Sequence, residues 1–294
     1  MSKCKLTVLT PTFNRAGTLG LAYESLCNQS CKDFIWLIVD DGSADETSTI
    51  VSQWQLRQNG FDIQYFHKEN GGKHTAINFA AKHIVTDLVL ILDSDDYLTA
   101  DAVSTVLESW KNYGSDTSLC GLSFHKGYDN IRPIQAFPQK ICRSNHIDFR
   151  INSNFPGDCC EVIRTDVLRQ FPFPEYPGER FLGEGYLWVN AAHKYDTVYI
   201  SKIIYICNYL DGGLTKSGRK MRLRNPRGGM LTSKVEMHPR ICIKQRIKKA
   251  ILYSCYGFAA GLSIDEIVKS SGYPAIVAIF LPLGYFFYRY WNRQ

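Results

Sequence analysis

Three carboxylates lie within four residues of one another in the stretch "ILDSDDYL", residues 91–98. Asp93, Asp95 and Asp96 follow an apolar run that predicts a buried strand. Ionised carboxylates this close repel one another, so a site that keeps them charged needs a cation. Hard oxygen ligands beside open coordination positions suit Mn²⁺ or Mg²⁺. We expect such an ion to be shared with a diphosphate and to stabilise the charge that builds on a leaving phosphate.

The elements that would position these carboxylates alternate along the chain. Apolar, β-branched runs predict strands, and segments with helical spacing separate them. The strands are predicted at Leu6–Thr10, Phe34–Val39, Ile63–Phe66 and Leu88–Leu92, and the helices near Thr18–Cys27, Ala44–Gln58 and His74–His83. This alternation predicts a doubly wound, mostly parallel α/β sheet with helices on both faces. Such sheets bind ligands beyond the carboxyl ends of their strands.

Each predicted strand ends in polar residues. The segments are "TPTFNR" at 10–15, "VDDGSADET" at 39–47, "HKENGGKHTAIN" at 67–78 and the aspartates described above. Any one of them is explained by the turns and helix starts that Asp, Ser and Gly favour, but four at one sheet edge indicate a binding site. The first strand–helix turn has neither G-x-G-x-x-G nor G-x-x-x-x-G-K-[ST], which argues against the usual dinucleotide and P-loop cradles.

In this order and spacing, the four segments resemble the glycosyltransferase family 2 enzymes of the GT-A fold, which are inverting and use nucleotide-diphosphate sugars. The resemblance is strong over residues 5–110 and looser over 150–215. It implies that Asp93 and Asp95 form the D-x-D motif that binds ribose and metal, and that Asp96 takes either role. It also implies that Asp41 reads the base edge, most simply of uracil. The nucleotide-binding residues implied are Pro11, Thr12, Phe13, Arg15, Asp41, Lys73, Asn78 and Asp93.

Inversion requires a base that takes the proton from the attacking hydroxyl. In much of the family this base is the Asp of a Glu-Asp pair that opens a helix. The matching stretch here is "GERFLGEGYLWVN", residues 178–190, in which Gly185 occupies the second position. Glu184 is therefore the candidate base, since it precedes a helical pattern and would stand at the positive end of that helix. Asp158 is the alternative, as the base or as an acceptor-binding residue, and a plain helix-start acid is the non-catalytic explanation of Glu184.

The positive charge of the chain is concentrated in one segment. Residues 216–249 contain twelve Lys/Arg and one acid, whereas the whole chain has a net charge of +6. Such a block usually binds phosphates, but no aromatic-rich motif accompanies it, so we expect no nucleic acid partner. The segment 209–228, which overlaps the start of this block, combines glycines with close-spaced cations. This pattern predicts either a mobile diphosphate lid carrying Lys216, Arg219 and Lys220 or a flexible basic linker.

The C-terminal segment predicts attachment to a membrane. Residues 270–288 are nineteen uncharged residues, near the length of a bilayer span, but Pro274, Pro282, Gly284 and several tyrosines interrupt them. Residues 243–261 have the pattern of a basic amphipathic helix suited to an anionic leaflet. We expect peripheral, monotopic or re-entrant attachment at the cytoplasmic face of the cell membrane. A single span and a helical element that forms a homo-oligomer are the alternatives. The interfacial anchors would be Arg289, Tyr290, Trp291 and Arg293.

These observations divide the chain into three predicted regions. They are a nucleotide-sugar-binding subdomain at 1–110, an acceptor-binding subdomain with a basic lid at 111–236, and a membrane-associating tail at 237–294. The ten cysteines lack metal-binding spacing and no export signal is recognised, which favours reduced thiols in the cytosol.

The predicted activity is metal-dependent transfer of one sugar from a nucleotide-diphosphate sugar, most simply a UDP-sugar. The acceptor would be a hydroxyl of a lipid-linked saccharide in surface polysaccharide synthesis. No Gln-x-x-Arg-Trp element of the processive family members is present, so one sugar per encounter is expected. The alternatives are a non-catalytic nucleotide-sugar-binding protein and a sugar nucleotidyltransferase.

Overall fold

The structure is a computed structural model that describes residues 5–155, 157–207 and 214–293, with the backbone alone for 214–217. It contains two compact units. The first comprises Met1–Asn145, Pro156–Pro172 and Lys194–Leu210, and the second comprises His146–Phe155, Phe173–His193 and Asp211–Gln294. The boundaries predicted at residues 110 and 236 are not those of these units, because strands from both sides of residue 110 complete one sheet.

The first unit is built on a mixed sheet. Among the described residues, its strands are β1 (Leu6–Thr12), β2 (Phe34–Asp40), β3 (Asp62–His67), β4 (Leu88–Ile91), β5 (Tyr97–Leu98), β6 (Leu119–Gly127), β7 (Ile141–Ser144), β8 (Cys159–Arg164) and β9 (Asp196–Ile206). The sheet order is β3-β2-β1-β4-β8-β6-β9-β5, and β7 pairs with β9.

The sheet changes character at β8. β3, β2, β1 and β4 are parallel to one another, whereas β8 is antiparallel to both of its neighbours, β4 and β6. β6 and β9 are parallel, and β5 and β7 run antiparallel to β9. The prediction of a mostly parallel sheet therefore holds for the first four strands only. In the other half the strand directions are mixed. Strands that are neighbours in this half of the sheet are far apart in sequence and are not joined by short strand–helix–strand crossovers.

The helices of the first unit are α1 (Leu19–Cys27), α2 (Thr47–Gln55), α3 (Lys73–His83), α4 (Ala102–Tyr113) and α5 (Thr165–Gln170). All seven residues of β1 are buried, as expected for a central strand covered on both faces. On one face Tyr23 stacks on Trp54 with ring centroids 4.3 Å apart, and the Trp36 indole N–H donates to Thr10 Oγ1 at 3.0 Å. The first four strands and the first three helices confirm the alternation predicted from the sequence.

The second unit is helical. Its elements are a π-helical turn (Ile147–Asn152), α6 (Gly185–Ala191), α7 (Leu214–Arg224), α8 (Pro226–Val235), α9 (Ile243–Ala259), α10 (Ile264–Ser270) and α11 (Pro274–Trp291). A core is formed by Met230, Met237, Ala250, Tyr253, Tyr256, Ile267 and Val277. The amphipathic helix predicted over 243–261 is present as α9. Ala250, Tyr253 and Tyr256 of this helix are buried in the core, whereas Ile243 is 60% exposed.

The apolar segment predicted at 270–288 becomes the end of α10, a short link and most of α11. α11 packs closely on α9 through Gly284, where a Cβ would overlap with Ser254 Cβ and lie 2.9 Å from the Ile251 carbonyl oxygen. Among the described helices, none has both the length and the apolar character needed to cross a bilayer.

Gly284→Ala should lower the melting temperature, measured by calorimetry. Alanine favours a helix over glycine by about 1 kcal/mol, but overpacking a close contact costs about 1–3 kcal/mol. We expect the overpacking cost to exceed the gain in helix propensity, so the substitution should destabilise the protein. Gly218→Ala in α7 is the matched control, since its added Cβ would find no atom closer than Arg222 Nη1 at 3.6 Å. If Gly284→Ala melts like the control, the close approach of α11 to α9 is wrong.

Candidate active site

The loops after β1 and β2 are joined by hydrogen bonds. Asn14 has a φ of 51°, its N–H donates to Ser43 Oγ at 2.8 Å, and its Oδ1 accepts from the Ala44 N–H at 2.9 Å. The Asp45 carboxylate accepts from the Ala16 N–H at 3.0 Å. These contacts fix the segment that was predicted to line the nucleotide pocket.

The predicted pocket residues lie at the carboxyl end of β1. Pro11 and Thr12 are buried, Arg15 is partly exposed, and the Phe13 ring is 45% exposed. Thr12 Oγ1 is buried and has no hydrogen-bond partner within the described part of the chain. Buried hydroxyls are normally hydrogen-bonded, so this atom is available to a polar group of a ligand.

Asp41 anchors the loop that precedes α3. One carboxylate oxygen accepts from Lys68 Nζ at 2.6 Å and from the Gly71 N–H at 3.0 Å, and the other accepts from the Gly72 N–H at 2.6 Å. Asp41 is only 3% exposed. The contact with a base edge stays a prediction. The structure gives Asp41 a further task that the sequence did not reveal, which is to set the start of α3 and hence the position of Lys73.

Lys73 and Asp93 form an ion pair, with Lys73 Nζ 2.5 Å from Asp93 Oδ1. The other Asp93 oxygen lies 3.2 Å from the Tyr205 hydroxyl and 3.8 Å from Lys126 Nζ. Burial alone would raise the pKa of Asp93, but the ammonium groups of Lys73 and Lys126 lower it below its usual value. Asp93 is therefore an ionised carboxylate held from both sides.

Lys126 of β6 and Tyr205 of β9 organise this cluster, and the sequence analysis singled out neither. The Tyr205 hydroxyl donates to Asp96 at 2.7 Å and accepts from the Asp93 N–H at 3.0 Å. Lys126 Nζ lies 4.3 Å from the centroid of the Tyr205 ring and 2.9 Å from Asp158 Oδ2. Burial alone would lower the pKa of Lys126, yet the carboxylates of Asp158 and Asp93 raise it well above its usual value. A lysine inside the apolar run of β6 was the only signal in the sequence.

The three aspartates of residues 93–96 do not converge on one point. Asp93 faces the two lysines and Asp96 accepts from Tyr205, whereas the Asp95 carboxylate has no hydrogen bond or ion pair in the described ranges. Among the residues that the structure describes, no three His, Cys, Asp or Glu side chains are placed to hold a metal ion. The metal site was predicted to need a diphosphate as well as Asp93 and Asp95, and it stays a prediction. Asp95 is the carboxylate that fits an ion whose other ligands come from phosphates.

Asp158 lies in the first unit, just before β8. One of its oxygens pairs with Lys126, and the other accepts from the Cys159 N–H at 3.0 Å. Its side chain is 61% exposed. The structure thus makes Asp158 the counter-ion that holds Lys126 in place.

Glu184 lies in the second unit and immediately precedes α6, as predicted. Gly185 occupies the position where the resemblance led us to expect an aspartate. The carboxylate of Glu236, which follows α8, lies 3.8 Å from where a Cβ on Gly185 would be, and it pairs with Lys249 at 2.7 Å. A second carboxylate is therefore placed beside position 185. The sequence could not reveal it, because α8 brings it there from a distant part of the chain.

The other predicted residues are less constrained. Asn78 lies on α3 and is partly exposed. Of the predicted lid, Arg219 and Lys220 are exposed on α7, a helix in place of the flexible linker that was the alternative. The Arg219 guanidinium lies 5.6 Å from the centroid of the Trp291 ring. The side chain of Lys216 and the predicted glycine hinge lie outside the described residues.

A mixed sheet of this order, with charged side chains collected at the carboxyl ends of its parallel strands, is an α/β fold of the GT-A type. The model of glycosyl transferase family 2 matches residues 7–171, more than half of the chain, and the chain belongs to this family.

Similar proteins extend this result. The GalNAc(5)-diNAcBac-PP-undecaprenol beta-1,3-glucosyltransferase of Campylobacter jejuni is 29% identical over 209 residues, which are 69% of this chain and 64% of that protein. The alignment therefore spans slightly less than two thirds of that relative. Staphylococcus aureus TarS 1–349 in complex with UDP-GlcNAc is 19% identical with a TM-score of 0.62, covering 95% of this chain and 81% of TarS 1–349.

The mannosyltransferase PcManGT of Pyrobaculum calidifontis, solved with GDP-Man and Mn²⁺, is 15% identical with a TM-score of 0.59. The match covers 99% of this chain and 88% of PcManGT. At these identities the likeness to TarS and PcManGT establishes the fold.

Tyr205→Phe should lower turnover of a nucleotide sugar by about tenfold, because Asp93 and Asp96 lose the hydroxyl that positions both. Tyr23→Phe is the matched control, since it removes a comparable hydrogen bond, from the Tyr23 hydroxyl to Asn59 at 2.7 Å, away from this cluster. Steady-state kinetics and thermal melting of both variants check this. Equal turnover in the two variants would show that Tyr205 is only a core residue.

Proposed function

We propose that the protein is an inverting glycosyltransferase. It moves one sugar from a nucleotide-diphosphate sugar, a UDP-sugar in the simplest case, to a hydroxyl of a lipid-linked saccharide in surface polysaccharide synthesis. The observation that carries this proposal is the Lys73–Asp93–Lys126 cluster at the sheet edge, within the family region. The name of the Campylobacter jejuni relative, which specifies an undecaprenol-linked saccharide, supports the lipid-linked acceptor. A place at the cytoplasmic face of the cell membrane is part of the proposal. The UDP-GlcNAc complex of TarS supports the UDP-sugar.

The strand-end loops of the first unit would hold the nucleotide. Phe13 offers an exposed ring for stacking against a base, and the unpartnered Thr12 hydroxyl offers a hydrogen bond. Arg15 and Lys73 bring positive charge toward a diphosphate. As the diphosphate binds, Lys73 exchanges Asp93 for a phosphate oxygen, which frees one Asp93 oxygen for ribose.

The donor set fits Mn²⁺ or Mg²⁺ with Asp95 as the protein ligand, because this carboxylate has no other partner in the described ranges. When bound, such an ion neutralises charge on the departing diphosphate. Lys126 contributes fixed positive charge at the same edge of the sheet, and Tyr205 keeps Asp93 and Asp96 oriented.

Glu184 is the proposed base, which takes the proton from the acceptor hydroxyl as the new bond forms. Asp158 is less suited to this task because it serves as the counter-ion of the buried Lys126. Glu236 of the second unit also lies near position 185. Because its carboxylate pairs with Lys249, it is the second candidate after Glu184.

A non-catalytic nucleotide-sugar-binding protein is the second function that an observation favours. Gly185 removes the carboxylate that the resemblance led us to expect, while the cluster around Asp93 is complete. A sugar nucleotidyltransferase is disfavoured, because the loop after β1 carries Arg15 and lacks the glycine-rich cationic loop expected of such an enzyme.

UDP should bind wild-type protein at least about tenfold more weakly in EDTA than with Mn²⁺, since phosphates and Asp95 must share the ion. Asp95→Asn should remove most of that difference. Asp265→Asn in α10 is the control, because this exposed aspartate lies in the second unit and should leave the metal effect intact. Titration calorimetry measures each affinity. Equal UDP affinity with and without metal in the wild type would contradict the metal role.

Glu184→Gln should lower turnover by at least about 10² while UDP affinity stays within about twofold, because the amide keeps the shape but accepts no proton. Slow hydrolysis of a panel of UDP-sugars gives the rates, and calorimetry gives the affinities. An active Glu184→Gln with an inactive Glu236→Gln would move the base to Glu236. An inactive Asp158→Asn alone would move it to Asp158. Tight binding without hydrolysis of any UDP-sugar by the wild type would favour the binding protein.

A further inference from the structure

α11 has an inner face within the second unit and an outer face that is exposed. Val277 and Gly284 are buried on the inner face. The outer face repeats apolar side chains at helical spacing. We call this set the outer stripe, and it consists of Ala275, Ile279, Pro282, Leu283, Phe286 and Tyr290. Its larger members are between 47% and 70% exposed.

The outer stripe is continuous and long. It extends over sixteen residues of one helix, which is roughly 22 Å at the usual rise of 1.5 Å per residue. Single exposed apolar residues are ordinary, but a contiguous stripe of this size marks a surface that binds something. Ile279 at 70% and Phe286 at 59% exposure are its most prominent members.

The charged side chains of α11 itself have one sign. Arg289 and Arg293 are exposed at its C-terminal end, and the Arg289 guanidinium lies 3.1 Å from the hydroxyl of Tyr285. The sequence from 271 to 294 contains no Asp or Glu. Tyr285 and Tyr290 combine an apolar ring with a polar hydroxyl, which suits the boundary between lipid chains and head groups.

We propose that the outer stripe docks on an anionic lipid bilayer, with α11 lying in the plane of the head-group boundary. The apolar side chains enter the lipid and the two arginines meet anionic head groups. A second copy of the chain fits less well. In either orientation of two paired stripes, Arg289 and Arg293 would find no carboxylate on the facing α11. The proposal relies on the proposed function only for its biological purpose, since docking needs no sugar transfer.

The structure also narrows which part of the tail binds lipid. α9 was the predicted amphipathic contact, but Ala250, Tyr253 and Tyr256 are buried in the helical core, and Ile243 is its one large apolar residue that is mostly exposed among those described. Trp291, a predicted anchor, packs on Phe287 with ring centroids 5.3 Å apart. The outer stripe is therefore assigned the apolar contact. The exposed Lys244 and Lys248 of α9 add only general attraction.

Flotation of the full chain with vesicles tests the proposal. The vesicles are phosphatidylglycerol mixed with phosphatidylcholine in equal parts, or phosphatidylcholine alone. The wild type should float with the anionic vesicles, and high salt should weaken this binding without abolishing it. The double variant Ile279→Gln and Phe286→Gln should bind at least about tenfold more weakly. The matched control is Leu56→Gln with Ile131→Gln, two side chains of the first unit that are 89% and 86% exposed, and it should bind like the wild type.

A second pair of substitutions separates the electrostatic contribution of the two arginines from the apolar contribution of the outer stripe. Arg289→Gln with Arg293→Gln should weaken binding to the anionic vesicles and leave binding to phosphatidylcholine unchanged. If the double stripe variant melts earlier than the wild type, Phe286→Gln alone replaces it and should still weaken binding.

Two results would overturn the proposal. The first is a wild type that ignores anionic vesicles, or a stripe variant that binds them as tightly as the wild type does. The second is a wild-type dimer in sedimentation that the stripe variant dissociates, which would make the stripe an interface between copies. UDP binding of the stripe variant should equal that of the wild type. A wild type that binds lipid but no nucleotide would contradict the proposed function and leave the docking surface standing.

Discussion

The first unit depends on how it holds two carboxylates, Asp93 and Asp96, which both contact the Tyr205 hydroxyl. An uncompensated charge in a protein interior costs several kcal/mol, so both carboxylates need cations or donors. Lys73, Lys126 and Tyr205 supply them. These three side chains come from α3, β6 and β9. The positions of those elements and the ionisation of the carboxylates therefore depend on one another.

Strand direction explains why these side chains meet. β4, β6 and β9 run the same way, so Asp93 after β4, Lys126 near the end of β6 and Tyr205 near the end of β9 reach the same edge of the sheet. β8 runs the opposite way, and its beginning brings Asp158 to that edge. The mixed half of the sheet thus completes the site that the parallel half begins.

The parallel half could be predicted from the sequence because its signals are local. β1 to β4 are short apolar runs, each followed by a polar turn, and consecutive strands are joined by helices. Lys73 and Asp93 each lie in such a strand-end segment, so both were found. Their pairing was not, because it depends on the loop that Asp41 holds in place.

The mixed half could not be predicted because its signals are distant. Lys126 follows His125 in β6, and Tyr205 is one of two tyrosines in β9, so neither stands out from its neighbours as a site residue. Their alignment depends on the register between β6 and β9, which shifts at several points. Glu236 and Gly185 are likewise brought together only by the packing of α8 on α6.

The C-terminal tail shows another limit of prediction from the sequence. The sequence identified 243–261 as amphipathic and 270–288 as uncharged, but composition cannot tell an apolar face that packs on protein from one that packs on lipid. Gly284 decides this for α11, because a glycine at that point lets the helix approach α9 closely. The apolar residues on the opposite side are then left exposed.

The two lysines at Asp93 differ in a way that suits the proposed reaction. Lys73 is 31% exposed and stands at the start of a helix, so its side chain can turn to a phosphate without opening the core. Lys126 is 10% exposed, lies against the Tyr205 ring and is held by Asp158. Moving it would leave Asp158 without its cation and Asp93 with Lys73 alone. Because Lys126 stays, Asp93 remains ionised and oriented when Lys73 leaves it, and a ligand can recruit one cation without dismantling the cluster.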